Sequence, residues 1–383
     1  MSNTEKNYRK GYREKLIRLS LACGAVPFKS LNLVIPNIVS LQHRLREMVQ
    51  DGDFRVYHDE DIWAVSITPE IYDKIKTDEK LKEQFGEELI KHYELYGKDD
   101  YKRACYYTKF TKQNARRVMR NNEVLLFMHG CDITCLPGEK KSDLLFYSIQ
   151  RENRYYTSRE LKRNTNLDVL VEEEKEKQTV HGTRINGLLN IGNETYTVIN
   201  VEKSLYQFSA VGERRTRQFI SELCLENNMP QLSGCIFFYK DNSVINKMMR
   251  PSTAHEIKHT QAIMKAYDED NMLAIPLTPD GQKMLKLMKH KNWREQLLSS
   301  ALSEEQRILQ KEVVDCDGHD AEGYHLMFCI PDIAKLRRFI YSAEVMSENK
   351  FYIYCFKHQR NLLKSVARGN VYLRSIDIND MVD

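Results

Sequence analysis

The order of apolar periodicities between Tyr12 and Val65 constrains the fold more than any other feature of this sequence. Helical spacing covers 12–22 and 27–34 and then runs from Asn37 to a stop signal at Gly52, and alternating strands cover 54–57 and 62–65. Three helices followed by a two-stranded ribbon is the order of a winged helix. We therefore expect an N-terminal winged helix-turn-helix domain over residues 1–70.

The third predicted helix would enter the major groove of DNA if this domain binds a duplex. Asn37 is a good N-cap for that helix. The face opposite its apolar stripe is predicted to contact base edges through Ser40, His43 and Arg44. Neighbouring basic residues are predicted to contact phosphates, namely Lys10, Arg13 and Lys29.

The turn between the two strands supports a second interpretation. Asp59, Glu60 and Asp61 place three negative charges at the tip of the wing, where phosphates would be repelled. Winged helices also serve as protein-binding modules. The wing is therefore expected to face away from DNA or to bind a partner protein.

A strongly basic stretch runs from Tyr101 to Arg120 within a predicted helical connector, residues 71–125. Tyr106, Tyr107 and Phe110 are interleaved with its cations, a combination that suits a nucleic-acid backbone. The candidate contacts are Lys109, Lys112, Arg116, Arg117 and Arg120. A solvated helix face that pairs with acids elsewhere in the fold is the competing interpretation.

Short apolar strands alternate with helices in the remaining residues, and we expect a larger mixed α/β domain over 126–383. One hairpin is predicted over 184–201 around Gly192-Asn193-Glu194. A second strand pair is predicted at 312–315 and 324–329, joined by an acidic turn. The fold class is accordingly α+β.

His255-Glu256-Ile257-Lys258-His259 matches H-E-x-x-H, which on a helix pairs two imidazoles for zinc with a glutamate that activates water. Lys258 occupies an interior position of the motif, and Lys265 stands where a third histidine would be needed. The acids at 268–270 follow too closely on the same helix to supply that ligand. We therefore predict a surface helix that packs through Ile257, Ile263 and Met264 and holds no zinc.

Composition limits the remaining possibilities. The net charge is only +4 with a pI near 8.4, so any affinity for nucleic acid must come from local patches. No signal peptide and no apolar run long enough for a membrane span is visible, and a cytoplasmic protein without a membrane partner is expected. The nine cysteines lack any C-x-x-C pair, which favours buried, reduced thiols.

Three segments resemble proteins of the replication-relaxation family, namely "GAVPFKSLNL", "GTRINGLLNIGNETYTVINVEKSLYQFSAVGERRTRQFI" and "DCDGHDAEGYHLMFCIPDIAKLRRF". Members of that family are encoded mainly on plasmids and integrative conjugative elements of Firmicutes. They combine a winged helix with a C-terminal domain of restriction-endonuclease-like shape. The resemblance implies the same architecture here and a role in the replication, transfer or transcriptional control of a mobile element.

A working nuclease of that shape needs an acidic residue and a (D/E)-x-K motif on the neighbouring strand to hold a divalent metal. Glu202 is followed directly by Lys203, and because alternate strand residues face opposite sides, these two cannot share a face. Glu139-Lys140-Lys141 matches the (D/E)-x-K motif, but it follows Pro137-Gly138 in a predicted loop instead of a strand. The sequence favours a degenerate domain without catalytic residues, metal or cofactor, and a metal-dependent nuclease or nicking enzyme is the alternative.

The predicted partner is double-stranded DNA. Replication or conjugation proteins and a second copy of the chain are further partners that the sequence leaves open.

Overall fold

The structure is a computed structural model of the chain. It describes residues 3–35, 37–60, 62–98, 112–139, 153–158, 160–161, 183–203, 209–226, 229–267, 271–307 and 313–381. Two compact units divide the chain, residues 1–144 and 145–383. A single helix, Lys112–Gly130, runs across position 125, where the sequence placed the end of the connector.

The first unit begins with two helices and a three-stranded sheet. In chain order its elements are α1 (Asn3–Cys23), β1 (Val26–Pro27), a 3₁₀ helix (Phe28–Leu33), α2 (Ile38–Gln50), β2 (Phe54–Asp59) and β3 (Ile62–Ile67). The sheet order is β1-β3-β2, and both pairings are antiparallel. The sequence missed β1, since two residues are too few to show a period.

Glycines and apolar stripes set the boundaries and the core of this region. Gly24 and Gly52 take φ values of +71° and +78°, and these left-handed conformations end α1 and α2. The apolar stripe of α2 is buried, as predicted, through Leu41, Leu45 and Met48.

Four further helices complete the first unit, namely α3 (Pro69–Thr77), α4 (Glu79–Phe85), α5 (Glu87–Lys98) and α6 (Lys112–Gly130). The apolar residues over 80–96 keep a continuous helical spacing, but Gly86 at φ +86° divides this stretch into α4 and α5. Helix α5 packs against α1, whereas α6 packs against β1, β3 and the 3₁₀ helix. Helix α6 therefore packs against the small sheet, although it follows that sheet by about fifty residues along the chain.

The second unit contains a five-stranded mixed sheet of order β4-β5-β6-β7-β8. Its strands are β4 (Arg154–Thr157), β5 (Gly187–Ile191), β6 (Glu194–Glu202), β7 (Leu232–Tyr239) and β8 (Asn271–Pro276). The first three strands pair antiparallel, and β6, β7 and β8 run parallel. Helix α7 (Ala210–Glu226) joins β6 to β7, and helices α8 (Asn242–Met249) and α9 (Ala254–Tyr267) join β7 to β8. The hairpin predicted over 184–201 is confirmed.

A four-stranded sheet of order β12-β11-β10-β9 follows helices α10 (Pro279–Met288) and α11 (Trp293–Ser299). Its elements are β9 (Gly318–Asp320), β10 (Gly323–Met327), α12 (Ile333–Val345), β11 (Phe351–Phe356), α13 (Arg360–Leu363) and β12 (Val371–Ile376). Residues 313–315 of the strand predicted at 312–315 are not in a strand, so this prediction is wrong for the part that the structure describes. The pairing partner of β10 is β9, inside the predicted acidic turn, because a tight turn at residues 321–322 brings Asp320 opposite Gly323.

Each sheet of the second unit contains the same succession: an antiparallel hairpin, a helix, a parallel strand, a further helical connection and a last parallel strand. One apolar core joins the two sheets, with Phe237 and Met272 from the first, Phe351 from the second and Phe339 from α12. The described part of the chain is thus a mixed α+β protein with three sheets.

Candidate nucleic-acid interface

Helix α2 is positioned by its cap and by its buried stripe. The side chain of Asn37 accepts a hydrogen bond of 2.9 Å from the backbone N–H of Ser40, as expected of an N-cap. With Leu41 and Leu45 packed inward, the opposite face of the helix is turned to solvent.

The most exposed face of α2 carries Val39, Gln42, His43 and Arg46. Val39 is 73% exposed and the His43 side chain 72%. Ser40 is half-buried at the flank of this face. Of the residues predicted to contact base edges, His43 is therefore the most exposed, and its Nδ1 lies 3.7 Å from the carboxylate of Glu47.

Arg44 does not stand on the outward face. Its side chain is 18% exposed, and its guanidinium lies 3.3 Å from the carboxylate of Glu47. At 100° per residue, position 44 lies only about 60° from the centre of the buried stripe, whereas position 46 lies about 140° from it. Arg46 is exposed, whereas Arg44 is not.

The residues predicted to contact phosphates have different surroundings in the structure. Arg13 forms a bidentate pair with Asp53, at 2.6 and 3.1 Å, and this hydrogen bonding raises the pKa of its guanidinium. Lys29 is exposed on the 3₁₀ helix. Lys10 lies in α1, in the part whose side chains are not described. Arg13 thus connects α1 to the turn before β2 and does not project toward a ligand.

Replacing Arg13 with alanine is expected to lower the free energy of unfolding of the first unit by about 1 kcal/mol, because the carboxylate of Asp53 is largely buried. Urea unfolding followed by the fluorescence of Trp63, in a Trp293→Phe background, measures this. Arg55→Ala is the matched control, since Arg55 is nearly half exposed and 3.8 Å from Glu70. A loss of salt-dependent DNA binding without loss of stability would instead restore Arg13 as a phosphate contact.

The basic stretch is only partly described. Lys109 and the interleaved aromatic residues lie outside the described residues, and Lys112 begins α6 with an undescribed side chain. Arg116 and Arg117 are exposed on α6, while Arg120 is half-buried and donates from Nε to the backbone carbonyl of Arg116 at 3.2 Å. The exposed pair supplies the positive surface of this helix.

Two buried polar residues fix α6 to the rest of the first unit, and sequence reasoning missed both. The amide of Asn122 donates to the carbonyls of Cys23 and Ala25 at 2.8 and 2.6 Å, and the hydroxyl of Ser30 donates to Glu123 at 2.5 Å. The sequence signal for these contacts was the polar pair Asn122-Glu123, which directly precedes the apolar run 124–128. These contacts set the position of Arg116 and Arg117, about two turns away on the same helix.

The hairpin of β2 and β3 carries an aromatic group as well as an exposed acid at its tip. The ring of Trp63 is 4.3 Å from His58 and 6.0 Å from Phe28, and Trp63 is 39% exposed. Glu60 is exposed at the tip with φ +49°, whereas Asp61 and the side chain of Asp59 lie outside the described residues.

The candidate nuclease residues of the second unit are engaged in ion pairs. Glu202 ends β6 and lies 3.5 Å from Lys240. Among the acids of the segment 315–320, Asp315 pairs with Arg338 and Asp317 with Lys335, while the carboxylate of Asp320 lies 3.0 Å from Nε2 of His325. Within the described ranges, no group of three or more His, Cys, Asp or Glu side chains is placed to hold a metal ion.

The cysteine prediction is confirmed for the eight cysteines that the structure describes, all of them buried and unbridged; Cys105 lies outside those residues. Burial raises the pKa of Cys224 and Cys235 to about 12, so both are protonated thiols at neutral pH. In the described part of the chain, no helix combines the length and the apolar character that a bilayer span requires.

Comparisons with models of known protein families, with curated proteins and with solved structures find no match to this chain.

Proposed function

We propose that residues 12–67 form a winged helix and that the protein binds double-stranded DNA by placing α2 in the major groove. The observation that carries the proposal is the connection of these elements: helix, short strand, helical turn, helix and hairpin, with β1 paired to β3. In helix-turn-helix proteins of this kind the last helix before the hairpin reads the groove.

The outward face of α2 offers the chemistry that base edges require. An arginine such as Arg46 suits the two acceptors of guanine, a glutamine such as Gln42 suits adenine, and the methyl groups of Val39 suit the methyl of thymine. His43 lies between them. The face is therefore equipped to distinguish base pairs as well as to bind the duplex.

Phosphate contacts are assigned to Lys29, Arg116 and Arg117. Lys29 belongs to the 3₁₀ helix and the two arginines to α6, which packs against it. The net charge of +4 makes such a local group more important than the overall field of the protein.

The resemblance to replication-relaxation proteins extends the proposal to a plasmid or conjugative element. The protein would act there in replication, transfer or transcriptional control without catalysis. A metal-dependent nuclease and a module that recruits replication or transfer proteins are the alternatives that the experiments below separate.

Arg46→Ala is expected to weaken binding to the preferred site about 5- to 150-fold and to relax specificity at one base pair, because a bidentate base contact contributes about 1–3 kcal/mol. Arg44→Ala is the matched control and should change affinity little, since Arg44 is paired with Glu47. Gel-shift titrations use duplexes flanking the gene, with a mixed-sequence duplex as reference. A larger loss from Arg44→Ala than from Arg46→Ala would contradict the assignment of the outward face.

The phosphate contacts are tested by salt dependence. Arg116→Ala with Arg117→Ala should lower the slope of log K against log salt by about 2. Plasmid nicking in Mg²⁺ that is lost in Glu202→Ala would replace the proposal with the nuclease, and absence of duplex binding at every salt concentration would favour the recruiting module.

A further inference from the structure

Strand β2 lies at an edge of the small sheet, where β3 is its only strand partner in the described part of the chain. Its residues, Phe54–Asp59, pair with β3 in one continuous register and include no proline. Bulges and prolines are devices with which proteins block an edge strand. The outer edge of β2 has neither, so its backbone is able to pair with a further strand.

The backbone groups on that outer edge belong to alternate residues. The N–H of Thr68 donates to the carbonyl of Asp53 at 3.1 Å, directly before the first residue pair of the ladder. Hydrogen-bonded pairs alternate along an antiparallel ladder, so the odd-numbered residues of β2 direct their N–H and C=O groups toward β3. The corresponding groups of Val56 and His58 point away from the sheet, and both residues are exposed.

The sequence of β2 is complementary to itself. When two copies run antiparallel about a twofold axis at Tyr57, Val56 lies opposite His58 of the second copy and their outward backbone groups meet. Arg55 then lies opposite Asp59 of the second copy, and the symmetry repeats this pair of opposite charges. In the two registers shifted by two residues, Tyr57 faces Arg55 or Asp59 instead, and both ion pairs are lost.

We propose that the protein forms a twofold dimer in which the β2 strands of two copies pair antiparallel about Tyr57 and make the two small sheets continuous. The exposed side chain of Val56 gains a cross-strand neighbour in this arrangement. Arg55 lies 3.8 Å from Glu70 within one copy. That pair is exposed and contributes little, so Arg55 is able to exchange it for Asp59 of the second copy.

The dimer has a consequence that rests on the proposed DNA binding. Two α2 helices related by a twofold axis predict a palindromic duplex site, since the symmetry of an operator follows that of the protein. The dimer itself is tested without DNA. Its failure is therefore distinguishable from a failure of duplex binding.

Sedimentation equilibrium of the full chain over about 1–300 µM tests the dimer, because a contact made by one strand is small and association in the micromolar range is expected. Arg55→Asp should weaken the dimer about 10- to 100-fold, since like charges then face each other twice. Combining Arg55→Asp with Asp59→Arg should restore wild-type association, because the exchanged charges are again opposite. Arg215→Asp, at an exposed position of α7, is the control for the change in net charge.

A disulfide tests the register. At a non-hydrogen-bonded pair the two Cα atoms lie about 4.5 Å apart, which is within the range of a disulfide. Tyr57→Cys should therefore form an intermolecular disulfide under mild oxidation roughly tenfold faster than Arg55→Cys, whose position lies off the axis. Non-reducing gels measure both rates, with the wild type as reference.

A wild-type chain that stays monomeric over the whole concentration range would overturn the proposal. Equal association of the wild type and Arg55→Asp would do so as well. The same holds for a charge-exchanged double variant that is folded, as judged by Trp63 fluorescence in the Trp293→Phe background, but does not associate.

Discussion

Glu213→Leu is expected to lower the free energy of unfolding of the second unit by about 3–5 kcal/mol. The carboxylate of Glu213 is fully buried and accepts from the Thr183 hydroxyl at 2.7 Å, the Arg184 backbone N–H at 2.7 Å and the Tyr267 hydroxyl at 3.2 Å. Leucine fills much of the volume but leaves three donors without an acceptor. Urea unfolding followed by Trp293 in a Trp63→Phe background measures the loss, because the chain has only two tryptophans and one lies in each unit.

Glu213→Gln is the matched control for volume and polarity, and its effect should depend on pH. Burial raises the pKa of Glu213 in spite of its three donors. A raised folded-state pKa means that the folded protein retains the proton longer, so wild-type stability should fall as pH rises from about 4 until that pKa is passed. The glutamine variant lacks this dependence. If Glu213→Leu were no more destabilising than Glu213→Gln, the three hydrogen bonds would not hold this region together.

Asn122→Asp is expected to lower the free energy of unfolding of the first unit by about 3–5 kcal/mol at neutral pH. The wild-type amide donates to two carbonyls in a buried position, and a carboxylate there would face two acceptors with no proton to donate. Protonation restores one donor, so the destabilisation should decrease as the solution is made acidic. Trp63 fluorescence in the Trp293→Phe background reports on this unit.

Asn121→Asp, the same substitution one residue away at a partly exposed position, is the control and should cost much less. Since Asn122 positions α6, its replacement should also reduce the salt dependence of the proposed DNA binding in the manner of the Arg116 and Arg117 variants. Equal stability of the Asn121 and Asn122 variants would show that the amide does not hold α6 in place.

Local patterns were sufficient wherever one element carries its own signals. The Asn37 cap, the buried stripe of α2 and the hairpin around Gly192 were each predicted from neighbouring residues and are observed. The predicted elements were wrong where one local sequence pattern is compatible with two different structures. Gly86 interrupts a continuous helical period, and the acidic residues 317–320 resemble a loop but include a strand that pairs with β10.

The candidate interface shows the same limit. Periodicity identified the helix that became α2, but it placed Arg44 on the outward face, because the pairing of Arg44 with Glu47 is not visible in the sequence. Arg44 pairs with Glu47 on the same helix. Arg13 pairs with Asp53, which lies forty residues further along the chain. Ile257, predicted to pack, is 41% exposed, while Ile263 and Met264 on the same helix are buried as expected.

The sequence alone determined the mixed α+β class, most helices and strands, and the reduced state of the described cysteines, because periodicity, caps and composition act over a few neighbouring residues. Only the tertiary structure decided which charged groups remain exposed and how α6 joins the first unit. Those outcomes depend on which side chains distant segments bring together, and burial makes an ion pair or an unsatisfied donor count far more than it does on an isolated helix.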